Sequence, residues 1–585
     1  MFYYTIVNII LTIIMFQWVV VAEDNIDEYK AAPESALESI NNNKNHVSSN
    51  FMAVTADPRA TLSAVKILES GGSAIDAAIS AQMVLNLVEP QSSGIGGGAF
   101  IMYYDNKTKN LSAWDGREKA PLNFSETIFL NQNGKRKGFV EAVSGGLAVG
   151  APSLISLLEK VHKKYGVIQW NLLFDDAIKY SFEGFIVGKR LESLIKRAPH
   201  LKNSITAKDY FKIGDGGLKE GELKKNIAFG QTLQKIKNAG SKALIDGLVP
   251  ESIIKVVNNH SSNPGNLTLE DFKNINPEIQ NPVCSFYRHW KICGMGPPSS
   301  GGITVLQILG ILNNFDLKKM DEELVWHLFL EATKLAYSDR NYYIADIDFI
   351  DFPMKDMLSN SYLKDRSKLI KFNNVLKSIE PGEFEKYKTS KRGSDSISER
   401  PSTTHISIID MQGNAISMTS SIEFMFGSGL MSSGFLLNNQ MTDFSFYPKD
   451  EAGNLIANRP QAGKKPRSSM SPTVVFDPEG NIKMILGSPG GSRIICYVAA
   501  SLIRIIDMNI DPMAVTKEPN ICNRGGKTTL EIGEIGDSLE EALKLKGHEI
   551  QRKNMTSGLH IIYKDDSGSF YGIADQRREG AAYGL

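Results

Sequence analysis

A threonine stands where a polar linker meets a strand, and its neighbours give it chemical interest. Residues 389–402 read Thr-Ser-Lys-Arg-Gly-Ser-Asp-Ser-Ile-Ser-Glu-Arg-Pro-Ser. The stretch is polar and poor in large apolar groups, a linker by composition. Thr403-Thr404-His405 follows at once. A Thr at a strand start is ordinarily structural, because β-branched residues suit strands. Three features weigh against that reading here. With a turn centred at Gln412, Thr403 and Ser421 are equally far from it along the chain, so they should pair across a hairpin and bring two hydroxyls together. Gly490-Gly491 ends a strand and opens a helix, where bare backbone N–H groups make a natural oxyanion hole. Arg117, Glu423, Gln440, Asp443, Ser468 and Ser469 sit in Gly/Ser-rich loops and can converge. Arg suits a carboxylate and acidic groups suit an ammonium, so together they fit an α-amino acid head group.

The elements that must position these residues are legible in the pattern. Phe51 to Thr55 reads as a short strand. Asp57-Pro58 is an N-cap with Pro at the first helical position, and that helix runs to Glu69 and stops at Gly71-Gly72. A second helix begins near Ser73, with Ile75, Ile79 and Met83 on one face, and ends before Glu89-Pro90. Ser92 to Gly98 is glycine-rich. It fits neither a P-loop nor a dinucleotide fingerprint and implies close backbone packing beside a site or core element. Residues 150–400 read as mixed helix with polar connections, including a helix over Leu324 to Tyr337. Thr404 to Ile409 alternates like a half-buried strand, Asp410 to Asn414 is a turn, and Ala415 to Ser421 is a second strand. Thr473 to Phe476 and Ile482 to Leu486 form another hairpin, followed by an apolar helix from Ser492 to about Met508.

With these motifs in place, the chain resembles the γ-glutamyltransferase (transpeptidase) family of amino-terminal-nucleophile hydrolases. The resemblance rests on Ser402-Thr403-Thr404-His405, Leu437 to Ser445, Ser468-Ser469-Met470-Ser471-Pro472-Thr473 and Gly487 to Arg493. Ser93 to Gly98, Arg117-Glu118 with Ala120-Pro121, and Pro297 to Gly302 support it upstream. It covers the chain from Phe51 to the carboxyl terminus.

What the resemblance implies is specific. The fold would be α+β, a four-layer αββα sandwich. The zymogen would cut its own Ser402–Thr403 bond, giving a large subunit over 51–402 and a small one over 403–585 that stay together as a heterodimer. Thr403 would attack a γ-glutamyl carbonyl, with its freed α-amine as base. Gly490 and Gly491 would hold the oxyanion, and Thr404 and Ser421 would orient the nucleophile. Arg117, Ser468 and Ser469 would bind the donor's α-carboxylate; Glu423, Gln440 and Asp443 would bind its α-amine. Glutathione and related γ-glutamyl compounds would be donors, and amino acids, dipeptides or water acceptors.

Some positions depart from the family pattern. Ser421 stands where Thr is usual and keeps the hydroxyl. Glu423 replaces a usual Asn and brings a negative charge, while Gln440 replaces a Glu found in other members, so the two changes can compensate. Thr442 replaces a common Asp. Arg467 replaces a common apolar residue and either adds carboxylate affinity or crowds the pocket. A catalytically weak relative that binds γ-glutamyl ligands or a partner protein is therefore the competing expectation. A third, an acylase for glutaryl-type amides, is disfavoured because such substrates lack the amine that Glu423 and Asp443 would bind.

The totals set outer limits. The chain has 585 residues, 42% hydrophobic and 22% charged, with Lys+Arg and Asp+Glu equal at 65. That is ordinary globular composition with no basic excess for nucleic acid. Residues 1–22 are apolar and end in Val20-Val21-Ala22 before Glu23-Asp24, a secretory signal peptide rather than an uncleaved anchor. Residues 23–50 read as a loose leader. Cys284 and Cys293 would face each other in a hairpin turning at Arg288-His289, as a disulfide or as two buried thiols. In a secreted glycoprotein the sequons at Asn106, Asn110, Asn123, Asn259, Asn266 and Asn554 would be acceptors. No metal-ligand spacing occurs, so no metal or other cofactor is expected.

Overall fold

The computed structural model describes residues 45–387, 391–395, 402–533 and 537–585. The expected signal peptide over 1–22, the leader as far as residue 44 and most of the linker lie outside these. The leader boundary needs correcting. Described structure starts before Phe51, because His46–Ser48 pairs with Phe570–Gly572 near the other end of the chain.

The sheet strands, in chain order, are β1 His46–Ser48, β2 Met52–Thr55, β3 Gly98–Asp105, β4 Asn110–Gly116, β5 Glu278–Gln280, β6 Val283–Tyr287, β7 Trp290–Gly294, β8 Thr404–Ile409, β9 Ala415–Ser421, β10 Thr473–Phe476, β11 Ile482–Gly487, β12 His560–Lys564, β13 Phe570–Ala574 and β14 Ala581–Gly584. They form two seven-stranded antiparallel sheets, one in the order β1-β13-β12-β11-β10-β7-β6 and the other β14-β2-β8-β9-β3-β4-β5. One hydrophobic core joins the inner faces of both sheets and continues to α4 (Gly301–Leu312), α5 (Glu322–Tyr343) and α6 (Ile494–Ile506). A second lies between the second sheet and α1 (Pro58–Glu69), α2 (Ala74–Val88) and α3 (Leu154–Tyr165). This is the four-layer αββα sandwich.

Local chemistry sets the helix starts. Asp57 accepts the Arg59 N–H ahead of Pro58, and Ser73 with Asp76 forms a capping box. Helix α2 is buried on every side rather than along one face. Helix α5 reaches beyond the expected Leu324–Tyr337 at both ends, starting from its Asp321 cap.

Strand β8 is not half-buried: all its residues are buried. The polar residues in its alternation face the other sheet, not water. Ser407 Oγ donates to the His560 carbonyl at 3.0 Å, Ser417 Oγ to the Leu486 carbonyl at 3.1 Å, and the His405 ring lies 2.8 Å from Thr419 Oγ1. Ile406, Ile408, Ile416 and Met418 pack towards the helices instead. Both cysteine pairs are disulfides: Cys284–Cys293 across the β6–β7 hairpin, as one of the two expectations had it, and Cys496–Cys522, which the spacing did not suggest.

Candidate active site

The β8–β9 hairpin fixes the first contact. Its register pairs Thr404 with Ser420 and Ile409 with Ala415, so Thr403 and Ser421 come next in the ladder. The buried carboxylate of Asp410 closes the turn by accepting the Gln412 and Asn414 N–H groups. Thr403 Oγ1 then lies 3.0 Å from Ser421 Oγ, and the Glu423 N–H donates to that Ser421 oxygen at 2.8 Å. Glycines admit this arrangement. A Cβ on Gly97 would lie 2.1 Å from the Ser421 carbonyl oxygen, and one on Gly96 2.0 Å from that of Leu436.

Thr403 is strained. Its φ is 101°, a region that β-branched residues avoid, and such a residue costs on the order of 1–3 kcal/mol. Its neighbours hold it there. Ser402 Oγ donates to the Gln91 carbonyl at 2.8 Å, and Arg578 Nη1 donates to the Thr403 carbonyl at 3.2 Å. The Gly490 N–H donates to the Ser402 carbonyl oxygen at 3.3 Å. The glycine turn after β11 therefore already grips the carbonyl of the peptide bond ahead of Thr403. The Thr404 hydroxyl, by contrast, is buried without a hydrogen-bond partner.

The polar set converges beside this centre, in two parts. Arg117 forms a salt bridge with Asp443 Oδ2 at 2.5 Å and donates to the Pro466 and Arg467 carbonyls at 3.1 and 3.0 Å. Gln440 Nε2 donates to the same Asp443 oxygen at 3.2 Å. Asn439 Nδ2 donates to Glu423 Oε2 at 2.5 Å and to Thr442 Oγ1 at 2.9 Å. Cation and carboxylate satisfy one another here, in an arrangement that a zwitterion can replace group for group. Ser468 Oγ accepts the Met470 N–H, and Ser469 Oγ accepts from Arg340 Nη2 at 2.7 Å.

Glu118 is fully buried next to Arg117, and burial pushes its carboxyl up to about 8 although Arg117 lies 3.9 Å away. It is therefore a neutral acid at physiological pH. The Arg467 guanidinium is buried and donates to the Arg340 and Ile344 carbonyls. It is also salt-bridged to Asp395 at 2.7 Å, with Asn458 Nδ2 on the same carboxylate oxygen. Sequence reasoning missed Arg340, Arg578 and Asn439. Asn439 lay inside a quoted motif, but the two arginines reach the site from distant chain positions that no local pattern marks.

A family model described as gamma-glutamyltranspeptidase matches residues 60–585. The chain belongs to that family. The glutathione hydrolase proenzyme of Bacillus subtilis (strain 168) is 34% identical over 549 residues, covering 91% of each chain. The proenzyme of the same name from Escherichia coli (strain K12) is 32% identical over 540 residues, 90% of each. Among solved structures, a cephalosporin acylase from Bacillus halodurans superposes with a TM-score of 0.81 over 94% of this chain and 99% of its own, at 23% identity, a likeness of fold. The gamma-glutamyltranspeptidase of Helicobacter pylori is 33% identical with a TM-score of 0.53, covering 56% of this chain and 94% of its own. The fold is that of the amino-terminal-nucleophile hydrolases.

Proposed function

We propose that this protein is a secreted γ-glutamyltransferase with glutathione hydrolase activity, matured by its own cleavage between Ser402 and Thr403. The observation that carries the reading is the Gly490 N–H on the Ser402 carbonyl oxygen, with the Thr403 and Ser421 hydroxyls in contact beside it.

In the precursor, Thr403 Oγ1 attacks the Ser402 carbonyl carbon. The carbonyl oxygen takes negative charge, which the Gly490 N–H stabilises. The hydroxyl proton passes to the departing nitrogen, and collapse breaks the C–N bond and leaves Ser402 esterified to Thr403 with the α-amine free. Water hydrolyses the ester, and Ser402 departs as a carboxylate. In the mature enzyme the Thr403 α-amine takes the hydroxyl proton as Oγ1 attacks the γ-carbonyl of the donor. The leaving amine takes that proton, and an acceptor amine or water then releases the γ-glutamyl group.

The donor's head group fits the ion pair. Its α-carboxylate lies on Arg117 with Ser468 and Ser469, and its ammonium on Asp443, Gln440 and Glu423, so that neither buried charge is left unpaired. Secretion rests on the apolar residues 1–22, and the two disulfides suit an oxidising compartment. Of the sequons, Asn110, Asn123 and Asn259 are exposed, whereas the Asn106 and Asn266 amides donate to backbone carbonyls. Among the described residues no helix is long and apolar enough to cross a membrane.

The test is release of 4-nitroaniline from its γ-glutamyl derivative, with and without glycylglycine. Release stimulated by the acceptor supports transfer. Faster release from the glutaryl derivative would overturn the γ-glutamyl assignment.

A further inference from the structure

Arg117 is reached from two sides by one buried ion pair. Asp115, near the end of β4, is 1% exposed, and Lys465 is 3% exposed. Lys465 Nζ donates to Asp115 Oδ2 at 2.7 Å. The other oxygen of that carboxylate accepts the Arg117 backbone N–H at 2.8 Å. Directly after Lys465 come Pro466 and Arg467, whose carbonyls accept from Arg117 Nε at 3.1 Å and Nη2 at 3.0 Å. These contacts close a ring. It runs from the Arg117 backbone to Asp115, from Asp115 to Lys465, along the chain for one or two residues, and back to the Arg117 guanidinium. Backbone and side chain of Arg117 are both fixed by it.

The ring joins distant stretches of chain. Asp115 and Lys465 are 350 residues apart, on opposite sides of the Ser402–Thr403 bond. Lys465 is seated further by its backbone N–H on Asp346 Oδ2 at 2.8 Å, and the residue before it by the Ala120 N–H on the Lys464 carbonyl at 2.9 Å. Its ammonium also answers Glu278, 3.2 Å away, which stands opposite Asp115 in the β4–β5 ladder. Carboxylates placed directly opposite one another repel. Lys465 is the cation that lets both stay there, and without it the buried Asp115 would keep a charge that has lost its counter-ion. The same stretch continues into Ser468 and Ser469, so a shift at Lys465 reaches every group assigned to the donor's α-carboxylate.

We propose that Asp115 and Lys465 are positioning residues for donor recognition: their ion pair holds Arg117 where the donor's α-carboxylate meets it, and so sets the preference for donors that carry this group. The inference rests on the assignment of Arg117 to the α-carboxylate and adds the pair through which that assignment works. Both residues act through Arg117 rather than on the donor. A guanidinium displaced from its carboxylate loses the directional part of that contact. The loss falls on binding of the acid donor and not on attack by Thr403.

The experiment measures release of 4-nitroaniline from two donors, the γ-glutamyl compound and its 4-aminobutyryl counterpart, which keeps the amine and lacks the α-carboxylate. The parent is compared with Lys465→Met, with Lys465→Arg and with the double variant Asp115→Asn, Lys465→Met. In Lys465→Met the ratio of kcat/KM for the glutamyl over the aminobutyryl donor should fall about tenfold, through KM for the glutamyl donor rather than kcat. Lys465→Arg keeps the cation and should restore most of the ratio. The double variant removes both charges of the pair, leaves neither partner buried as a lone ion, and should show the same fall; it decides the matter if Lys465→Met folds poorly. An unchanged ratio in the double variant, equal losses on both donors, or a fall confined to kcat would overturn the proposal. If the parent itself does not prefer the glutamyl donor, the assignment of Arg117 to the α-carboxylate fails, and the positioning role falls with it.

Discussion

Ser421 Oγ stands 3.0 Å from Thr403 Oγ1 and at the same time accepts the Glu423 N–H at 2.8 Å. The backbone of one loop thus polarises the hydroxyl that touches the nucleophile, and that loop is held by Asn439, whose Oδ1 accepts the Phe424 N–H at 3.0 Å.

Ser421→Ala should slow both self-cleavage and turnover. Loss of one hydrogen bond to a reacting hydroxyl is worth about 1 kcal/mol or somewhat more, so roughly tenfold is expected. Ser421→Thr should stay near the parent. Cleavage half-lives on gels and single-turnover acylation rates measure the effect, and an alanine variant as fast as the parent would remove Ser421 from the chemistry.

Glu423 faces Asn439 at 2.5 Å beside the proposed ammonium site. Glu423→Gln keeps the shape and removes the charge. It should raise KM for γ-glutamyl donors about tenfold, within the range of a charged hydrogen bond, and leave glutaryl analogues unaffected. Steady-state kinetics on the two donor classes decide this. An equal effect on both would mean that Glu423 acts on the fold of the loop rather than on the amine.

Stability should fall in acid through the buried histidines. Burial holds His560 and His200 down to about 4 and His548 down to about 3, and it keeps His405 well below its ordinary value of 6.5. Between pH 6.5 and about 4 the unfolded chain binds protons that the folded chain refuses. The contribution is complete above pH 6.5 and is lost as pH drops through this window. Melting temperatures from pH 7.5 to 4 should decline steadily from about 6.5 downward. A flat profile across that range in the Glu118→Gln variant, which removes the opposing carboxyl, would contradict the neutral buried histidines.

Glu118 carries the opposite sign. The folded chain keeps its proton up to about pH 8 while the unfolded one loses it near 4.5, so stability falls as pH rises between those values. Glu118→Gln mimics the neutral acid. It should match the parent near pH 4.5 and exceed it increasingly towards pH 8 in thermal melts. A variant less stable than the parent at pH 8 would mean that the carboxylate is charged and paired in the fold.

Much of this centre was legible in the chain. Antiparallel register is arithmetic, so the equal spacing of Thr403 and Ser421 about Gln412 predicted their contact, and the glycines at 96–98 marked close backbone approach. What stayed hidden depends on distance along the chain. His46–Ser48 reads as loose leader because its pairing partner is Phe570–Gly572. The alternation in β8 looks like a solvent face because sequence does not distinguish water from the polar layer between two sheets. Arg467 reads as a pocket residue until Asp395 is seen to hold it, and Arg578 gives no local sign that it reaches the Thr403 carbonyl.

The most direct measurement is amino-terminal sequencing of the purified protein and of its Thr403→Ala variant after a denaturing gel. The account predicts two bands for the parent, the smaller beginning Thr-Thr-His-Ile, and one intact, inactive band for the variant. A parent that stays intact yet turns over γ-glutamyl donors, or a Thr403→Ala variant still cut at the same bond, would contradict it.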